Sequence, residues 1–157
     1  MTTRQFVVLV VGITVGAIAV VGATGFVGLD LINLLTKHPK IKILHICAQR
    51  NIGKSINFFD KRIKKKLPKI SKVTTIKWDK VDVVFLSLPN GEAQKFIKKY
   101  IFHKHIIFID LSGDFRLKKP NDYKLWYGKK HQAKNLIKDS LYAVSEFVKE
   151  DIKDYRI

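Results

Sequence analysis

The sequence predicts an α/β fold in which a doubly wound, mostly parallel sheet carries helices on both faces. Short apolar runs that suit buried strands alternate along the chain with stretches whose apolar residues recur at helical spacing. Glycines and polar residues gather directly after several of the apolar runs. In a parallel α/β sheet the carboxyl ends of the strands are where ligands bind, so these two observations predict both the architecture and the edge that holds the site.

The first two strands flank the first helix. Ala17–Val21 is a short apolar run that ends at Gly22, which is typical of a buried parallel strand. Phe26–Thr36 follows as a helix, because its apolar residues fall on one helical face. Pro39 ends that helix, since proline disfavours helical geometry in the residue before it. Ile41–Ala48, rich in β-branched residues, is the second predicted strand.

The remainder of the chain continues the alternation. Residues 51–71 are basic and weakly periodic, and we interpret them mostly as loop. The other predicted elements are strands at Val73–Ile76, Val81–Leu88 and Ile106–Leu111, with helices at Gly91–Tyr100, near Asn121–Lys130 and near Glu146–Asp154. Val81–Leu88 is almost wholly apolar, so it belongs at the centre of the sheet. Arg156-Ile157 has the composition of the start of a further strand.

Composition narrows the classes of function. The 157 residues carry a formal charge of +17, but only five of the 30 basic residues are arginine and the lysines are scattered. The densest basic run, residues 61–66, contains no aromatic residues on which bases could stack, so we expect no nucleic-acid partner. The basic surface instead favours an anionic cofactor and a phosphorylated small-molecule substrate. Cys47 is the single cysteine, which fits a reducing, cytoplasmic compartment. The sequence has no cluster of residues with the spacing of metal ligands, so we expect no metal site.

The N-terminus is an apolar appendage of unknown role. No charged residue occurs from Phe6 to Leu29, a length that could span a bilayer. Glycines and threonines interrupt this run, and its second half supplies the first strand, so we do not expect a membrane anchor. We therefore divide the chain into an appendage at residues 1–16 and a nucleotide-binding domain at residues 17–157.

The turn after the first strand has the composition of a phosphate-binding loop. It reads GATGFVG and lies between a buried strand and an amphipathic helix. Glycine lets the backbone approach a ligand closely, and the helix offers unpaired amides and a partial positive charge to a pyrophosphate. In this context the motif predicts dinucleotide binding. The residues expected to contact the cofactor here are Gly22, Thr24, Gly25, Phe26, Val27 and Gly28.

The end of the second strand predicts NADP rather than NAD. A carboxylate at this position would hold the ribose hydroxyls of NAD, whereas an arginine suits the additional phosphate of NADP. The chain has Gln49 and Arg50 here and no acidic residue before Asp60. Arginine can bind a phosphate through two parallel charge-assisted hydrogen bonds, so we assign Gln49 and Arg50 to the 2′-phosphate.

Two later turns complete the predicted site. The strand at residues 81–88 ends in LPNG and the strand at residues 106–111 is followed by SGDFRL. Leu88, Pro89 and Ser112 are expected near the nicotinamide half of the cofactor. Arg116 is the candidate for an anionic part of the substrate, and the alternative for it is a surface ion pair with Asp114.

Four segments together resemble one family of enzymes. Val20–Gly28, Val81–Gly91, Asp110–Leu117 and Tyr123–His131 are similar to the N-terminal, Rossmann-type domain of the N-acetyl-gamma-glutamyl-phosphate reductases. The similarity covers about residues 17–157, and the SGDFRL run followed by WYGKKH is its most specific part. The aspartate-semialdehyde dehydrogenases share the fold and the glycine loop but are not expected to carry those two later runs.

The resemblance implies an NADPH-dependent reduction of N-acetyl-glutamyl phosphate to the semialdehyde in arginine biosynthesis. In that family a cysteine thiolate attacks the acyl phosphate, phosphate leaves, and hydride from NADPH reduces the thioester. The cysteine lies in an Asn-Pro-Gly-Cys turn after the strand that corresponds to Ile157, and a histidine of a later domain assists. Cys47 matches neither motif, so the resemblance implies a chain truncated before its catalytic domain, without a catalytic residue and inactive alone. It also implies a homo-oligomer for the full-length enzyme.

Three alternatives stay open at this level. A sensor that binds NADP without turnover fits the missing cysteine. Another acyl-phosphate reductase, such as an aspartate-semialdehyde dehydrogenase, fits the glycine loop. A basic nucleic-acid or membrane-surface module fits the net charge and would show salt-sensitive binding.

Overall fold

Four parallel strands form a single sheet in the computed structural model, which describes residues 16–143 and 154–157. The sheet order is β2-β1-β3-β4, with β1 at Gly16–Val21, β2 at Ile41–Cys47, β3 at Val83–Leu86 and β4 at Ile107–Asp110. The helices are α1 at Phe26–Leu35, α2 at Glu92–Tyr100 and α3 at Pro120–Tyr127. Shorter 3-10 segments occur at Ile56–Phe58, Val73–Thr75, Trp78–Lys80 and Lys134–Asp139.

An apolar cluster covers each face of the sheet. Alternate residues of a strand point to opposite sides, so each strand contributes to both clusters. Ile18 and Val20 belong to a cluster with Leu31 of α1 on one face. Ala19 and Val21 belong to a second cluster, with Ala93 and Ile97 of α2, on the other face. A parallel sheet enclosed by helices on both sides confirms the predicted doubly wound class.

The order of the strands reverses at β1. The chain leaves β1 to form β2 on one side and then returns to form β3 on the other side. The strands also end together: Val21 pairs with both Cys47 and Leu86, and Leu86 pairs with Asp110. The turns that follow the four strands therefore share one edge of the sheet, with the reversal between β1 and β3.

Most predicted elements are confirmed within a few residues. β1, α1, β2, α2, β4 and α3 all lie where periodicity places them. β3 is shorter than the predicted strand at Val81–Leu88, but it pairs with both β1 and β4 and so occupies the interior position that its apolar composition predicts.

The strand predicted at Val73–Ile76 is wrong. Residues Val73–Thr75 form a 3-10 turn in which the Thr75 hydroxyl and amide both donate to the Lys72 carbonyl, at 2.8 and 3.0 Å. Only Ser71 meets the sheet here, through an isolated parallel bridge to Cys47. The local hydrogen bonds to Lys72 close a turn, and they override the strand preference of the β-branched residues.

The loop predicted at residues 51–71 is confirmed apart from one 3-10 turn at Ile56–Phe58. It nevertheless contributes to the core, because Ile56, Ile63 and Ile70 are buried against the β1 and α1 face. The three residues stand seven positions apart in an otherwise strongly basic segment, and that wide spacing alone does not predict a helix or a strand.

The two ends of the chain lie partly outside the described residues. Of the predicted appendage at residues 1–16, only Gly16 is described, and it already belongs to β1. The predicted helix near Glu146–Asp154 also falls outside the described residues, except for Asp154. Within the described part of the chain, no helix is long and apolar enough to cross a membrane.

Residues 154–157 lie along the outer edge of β4, the edge that no other strand of the sheet pairs with. The Phe108 amide donates to the Arg156 carbonyl at 2.8 Å, although residues 154–157 do not form a regular strand. The Arg156 guanidinium donates to the carbonyls of Ile101, His103 and Ile106 at 3.2, 2.8 and 3.2 Å. Arg156 thus fixes the link between α2 and β4 from outside the sheet.

Candidate functional site

The glycine turn, residues 22–25, joins β1 to α1 at the carboxyl edge of the sheet. Gly22 has a φ of +82°, a backbone conformation that favours glycine. The amides of Gly22 and Ala23 both donate to the Cys47 carbonyl, at 3.0 and 3.1 Å, so the turn is fixed to the end of β2. A Cβ at Gly22 would lie 2.0 Å from the Ser87 carbonyl oxygen, so only glycine fits between β1 and the turn after β3.

The N-terminus of α1 follows this turn without a side-chain cap. Gly25 is the N-cap residue, and it provides no side-chain hydrogen bond, nor is there an acidic residue in the first turn. Gly28 allows the helix to pack against the loop, since a Cβ there would lie 2.5 Å from the Gly22 carbonyl oxygen. Phe26 and Val27 are 92% and 55% exposed. The end of the helix that carries partial positive charge therefore opens to solvent, as an anion site requires.

The other predicted contacts of this loop lie beside it. Gly25 is exposed and Thr24 is half-buried, so both can be reached from solvent. The backbone φ of Gly25 is −77°, and a Cβ built there meets nothing closer than the Gly22 carbonyl oxygen at 3.5 Å. Gly25 is thus sterically tolerant within the protein, unlike Gly22 and Gly28.

Gln49 and Arg50 follow the end of β2, one strand away from the glycine turn, and both are exposed. The next acidic residue along the chain, Asp60, is 8% exposed and already occupied. Its carboxylate accepts the Arg62 side chain, with both oxygens 3.0 Å from Nε, and the Arg62 amide at 2.9 Å. Asp60 is therefore committed to Arg62, and no acidic residue between β2 and Asp60 could replace it as a ribose ligand.

Two further turns stand on the other side of the strand reversal. We call residues 87–91 the β3 turn and residues 111–115 the β4 turn. Leu88, Pro89 and Ser112, the residues predicted near the nicotinamide, lie in these turns. The Gly91 amide donates to both Asp114 carboxylate oxygens, at 2.7 and 2.9 Å, so the two turns are in direct contact.

The Ser112 side chain is oriented by its neighbours. Its amide and hydroxyl both donate to the Asp110 carboxylate at 2.9 Å, and its hydroxyl oxygen accepts the Asp114 amide at 3.1 Å. Burial raises the pKa of Asp110 to about 6; the hydrogen bonds from Ser112 act against this shift and the charge of Asp114 adds to it. The end of β4 therefore carries a carboxyl group that changes charge in mildly acidic solution.

The alternative of a surface ion pair between Asp114 and Arg116 is wrong. Asp114 is fully buried, and its carboxylate faces the start of α2 instead. Arg116 is exposed, and its guanidinium lies 5.4 Å from the centre of the Tyr142 ring. Arg116 thus stands at the carboxyl edge of the sheet, supported by an aromatic ring and directed away from the buried acid.

Cys47 is placed as a core residue. It is buried at the end of β2, with its sulfur 3.8 Å from the Ser71 hydroxyl. Burial raises the pKa of its thiol to about 11, so it is not an activated nucleophile. Within the described ranges, no group of three or more histidine, cysteine, aspartate or glutamate residues is arranged to hold a metal ion.

His131 is a buried structural residue. It is buried between the rings of Phe115 and Tyr123, both in edge-to-face contact. Its Nδ1 accepts the Ala133 amide at 3.2 Å, so Nε2 carries the proton and donates to the Asp114 carbonyl at 2.9 Å. Burial lowers the pKa of His131, which keeps the ring neutral.

Sequence reasoning missed the contacts that hold the β3 and β4 turns together. Asn90, Gly91 and Asp114 were placed in turns, but their pairing across 23 residues has no signal in local composition. The LPNG tetrapeptide was the available clue. Gly91 is the N-cap residue of α2 with a φ of +93°, and because glycine has no side chain, it cannot cap the helix itself. The start of α2 therefore needs a hydrogen-bond acceptor from elsewhere in the chain.

The chain matches the family model of the semialdehyde dehydrogenase NAD-binding domain over residues 17–155. It is 44% identical over 142 residues to the N-acetyl-gamma-glutamyl-phosphate reductase of Ehrlichia ruminantium (strain Gardel), which covers 89% of this chain and 40% of that protein. The Brachyspira hyodysenteriae protein of the same name is 40% identical over 134 residues, covering 85% of this chain and 38% of that protein. The chain thus spans about 40% of the length of these curated relatives.

Solved structures support the same fold. Aspartate semialdehyde dehydrogenase from Candida albicans, crystallised with NADP, matches with a TM-score of 0.52 and 26% identity, over 68% of this chain and 32% of that one. An aspartate semialdehyde dehydrogenase II from Vibrio cholerae has a TM-score of 0.50 at 20% identity, over 65% of this chain and 29% of that one, which bears on the fold alone. The chain belongs to the semialdehyde dehydrogenase NAD-binding domain family.

Proposed function

We propose, from this family membership, that the chain is the NADP-binding part of an N-acetyl-gamma-glutamyl-phosphate reductase. The observation that carries the proposal is the identity of up to 44% to proteins of that name over most of the chain. The aspartate-semialdehyde dehydrogenase structures are less similar, at 20–26% identity. The SGDFRL and WYGKKH runs, which we expect to be absent from the aspartate-semialdehyde dehydrogenases, both lie in the matched region.

The cofactor is proposed to bind along the carboxyl edge of the sheet. The glycine turn and the uncapped start of α1 would hold the pyrophosphate, because the backbone is accessible there and Phe26 and Val27 are exposed. Leu88, Pro89 and Ser112, across the strand reversal, would lie beside the nicotinamide half. NADPH, when bound, supplies the hydride for reduction; the residues of this chain bind and orient it.

The preference for NADP over NAD rests on Arg50. Arg50 is exposed after β2, Gln49 stands beside it, and Asp60 is occupied by Arg62. A guanidinium without a competing carboxylate is suited to a phosphate on the adenosine ribose. The family description specifies NAD binding only, and the Candida albicans structure contains NADP.

Arg116 is proposed to hold an anionic group of the substrate. It is exposed at the end of β4, close in sequence to Ser112, and the Tyr142 ring supports its guanidinium. An acyl phosphate and a carboxylate both suit arginine, which binds such groups with two parallel hydrogen bonds. The charge of +17 would add a general attraction for this anionic substrate.

The nucleophile of the reaction is proposed to come from outside these 157 residues. Cys47 is the single cysteine of the sequence, and it is buried with a raised thiol pKa. The chain alone is therefore proposed to bind cofactor without turnover, as one domain of a longer cytoplasmic enzyme that assembles as a homo-oligomer.

The experiment that tests the function uses the protein encoded by the complete reading frame. NADP reduction at 340 nm is followed in the presence of phosphate with either N-acetyl-glutamate semialdehyde or aspartate semialdehyde. The proposal expects turnover with the acetylated substrate and a strong preference for it. Preference for aspartate semialdehyde would assign the chain to the other acyl-phosphate reductase, and cofactor binding without turnover on either substrate would support the sensor.

A further inference from the structure

Asp114 is a buried carboxylate surrounded by hydrogen-bond donors. Its side chain is fully buried, and in addition to the two bonds from the Gly91 amide it accepts the Gln94 amide at 3.1 Å and the Tyr123 hydroxyl at 2.7 Å. No basic side chain within the described residues forms an ion pair with it. Three donors and the positive end of the α2 dipole therefore stabilise its charge.

The β3 and β4 turns are joined in both directions. Asp114 of the β4 turn accepts the Gly91 amide, and Asn90 of the β3 turn accepts the Gly113 amide at 3.1 Å through its Oδ1. Each turn thus satisfies a backbone donor of the other. Together with the Leu111 amide, which donates to the Leu86 carbonyl at 2.9 Å, these bonds hold the two turns against each other.

The remaining contacts fix the orientation of Asp114 itself. Its amide donates to the Ser112 hydroxyl at 3.1 Å, and its carbonyl accepts His131 Nε2 at 2.9 Å. Gln94, whose amide reaches the Asp114 carboxylate, also accepts the Gln132 amide at 2.6 Å. Contacts from the start of α2, from Tyr123 and from His131 therefore fix the orientation of Asp114, which is itself part of the β4 turn.

We propose that Asp114 is a positioning residue for the nicotinamide half of the cofactor, through the two turns that it joins. This inference rests on the proposed function, which places Leu88, Pro89 and Ser112 beside the nicotinamide. Each of the three lies in the β3 or β4 turn. The glycine turn and Arg50 lie beyond the strand reversal, and among the described residues none of the hydrogen bonds of Asp114 reaches them.

The test separates the two halves of the cofactor. NADP⁺ and adenosine 2′,5′-bisphosphate, which lacks the nicotinamide half, are titrated by calorimetry into the full 157-residue chain and its Asp114→Asn variant. Asparagine keeps one acceptor oxygen but replaces the other with an NH2 donor, so the side chain cannot accept from Gly91, Gln94 and Tyr123 together. We therefore expect the contact between the two turns to loosen. We expect about a tenfold loss of NADP⁺ affinity, the scale of one hydrogen bond to a charged group, with the affinity for the bisphosphate changed less than about twofold.

A spectroscopic measurement and a matched control accompany the titration. The increase in NADPH emission on binding, which reports immobilisation of the nicotinamide ring, should fall in Asp114→Asn. Asp60→Asn makes the same chemical change in another buried carboxylate that accepts a backbone amide, from Arg62 at 2.9 Å. This control should leave the ratio of the two affinities unchanged, whatever it costs in stability.

A second variant decides the matter if Asp114→Asn does not fold. Asn90→Ala removes the reciprocal bond to Gly113 from an exposed position, and it should lower the same affinity ratio by a smaller factor. An unchanged ratio in the folded Asp114→Asn variant, or in Asn90→Ala if that is the variant that folds, overturns the inference. If the unmodified chain binds neither ligand, the proposed cofactor site fails first and the inference fails with it.

Discussion

Gly22 and Ser87 approach so closely that a Cβ on Gly22 would lie 2.0 Å from the Ser87 carbonyl oxygen. This contact joins the glycine turn to the β3 turn across the strand reversal. It requires glycine for two independent reasons, because the φ of +82° also disfavours any side chain.

The change Gly22→Ala should therefore destabilise the protein. Left-handed backbone strain and overpacking against Ser87 together predict a loss of roughly 2–5 kcal/mol in the free energy of unfolding. Chemical denaturation followed by circular dichroism measures it. An alanine variant as stable as the original chain would contradict the close approach of β1 and the β3 turn.

The change Gly25→Val should cost little stability but abolish the binding of NADP. Gly25 has an extended backbone and open space around it, so valine costs about 1 kcal/mol, the usual penalty of an apolar N-cap residue. The isopropyl group should nevertheless block the approach of a pyrophosphate to α1, so NADP binding should be lost in a folded protein. If calorimetry detected unchanged NADP affinity, the glycine turn would be a tight turn only.

Arg50→Ala should lower NADP affinity by about 1.5–3 kcal/mol, the range for hydrogen bonds to a charged group, and leave NAD affinity nearly unchanged. The physical reason is that only NADP carries the phosphate assigned to Arg50. Arg116→Ala is the matched control, because it removes an exposed arginine at the far side of the site. Equal losses of affinity for NADP and NAD in Arg50→Ala would refute the assignment to the 2′-phosphate.

His131 should make folding stability depend on pH. Its pKa in the folded protein lies below the ordinary value of 6.5, so the unfolded chain binds the proton first as the pH falls. Its contribution is complete above pH 6.5 and is lost as the pH drops from there toward the folded-state pKa. Denaturation between pH 5 and about 7.5 should therefore show a steeper loss of stability in the original chain than in His131→Gln.

The comparison with His131→Gln isolates this contribution from two others. Burial also lowers the pKa of His45. The pKa of Asp110 is raised to about 6, so its contribution to the free energy of unfolding declines as the pH rises toward that value. Both groups are present in each protein, so their contributions cancel in the difference. Identical pH profiles for the two proteins would show that His131 is not held neutral by its burial.

The 157-residue chain should bind NADPH and reduce nothing. The assay is NADPH oxidation with N-acetyl-gamma-glutamyl phosphate, and the reason is the absence of an activated thiolate, since the Cys47 thiol is buried with a pKa of about 11. Cys47→Ser serves as the companion variant. Turnover that this change abolishes would identify Cys47 as the nucleophile after all, whereas turnover that survives it would require a different mechanism.

The sequence by itself determined the class of fold and brought the candidate site residues to one edge of the sheet. Those features depend on local periodicity and on single residues: the alternation of apolar runs, the Gly22 turn and the placement of Arg50 are all readable within a few positions. The strand predicted from the β-branched residues at Val73–Thr75 was wrong, because hydrogen bonds to the Lys72 carbonyl close a turn there.

Only the tertiary structure decided the hydrogen-bond partners of Asp114. In the sequence its nearest basic partner is Arg116, two residues away, and a surface ion pair is the simplest expectation. In the folded chain the carboxylate is buried against Gly91, 23 residues distant, and Arg116 turns outward to Tyr142. The partners of a buried carboxylate are set by the packing of distant segments, here the start of α2 against the β4 turn, and no local sequence pattern encodes such contacts.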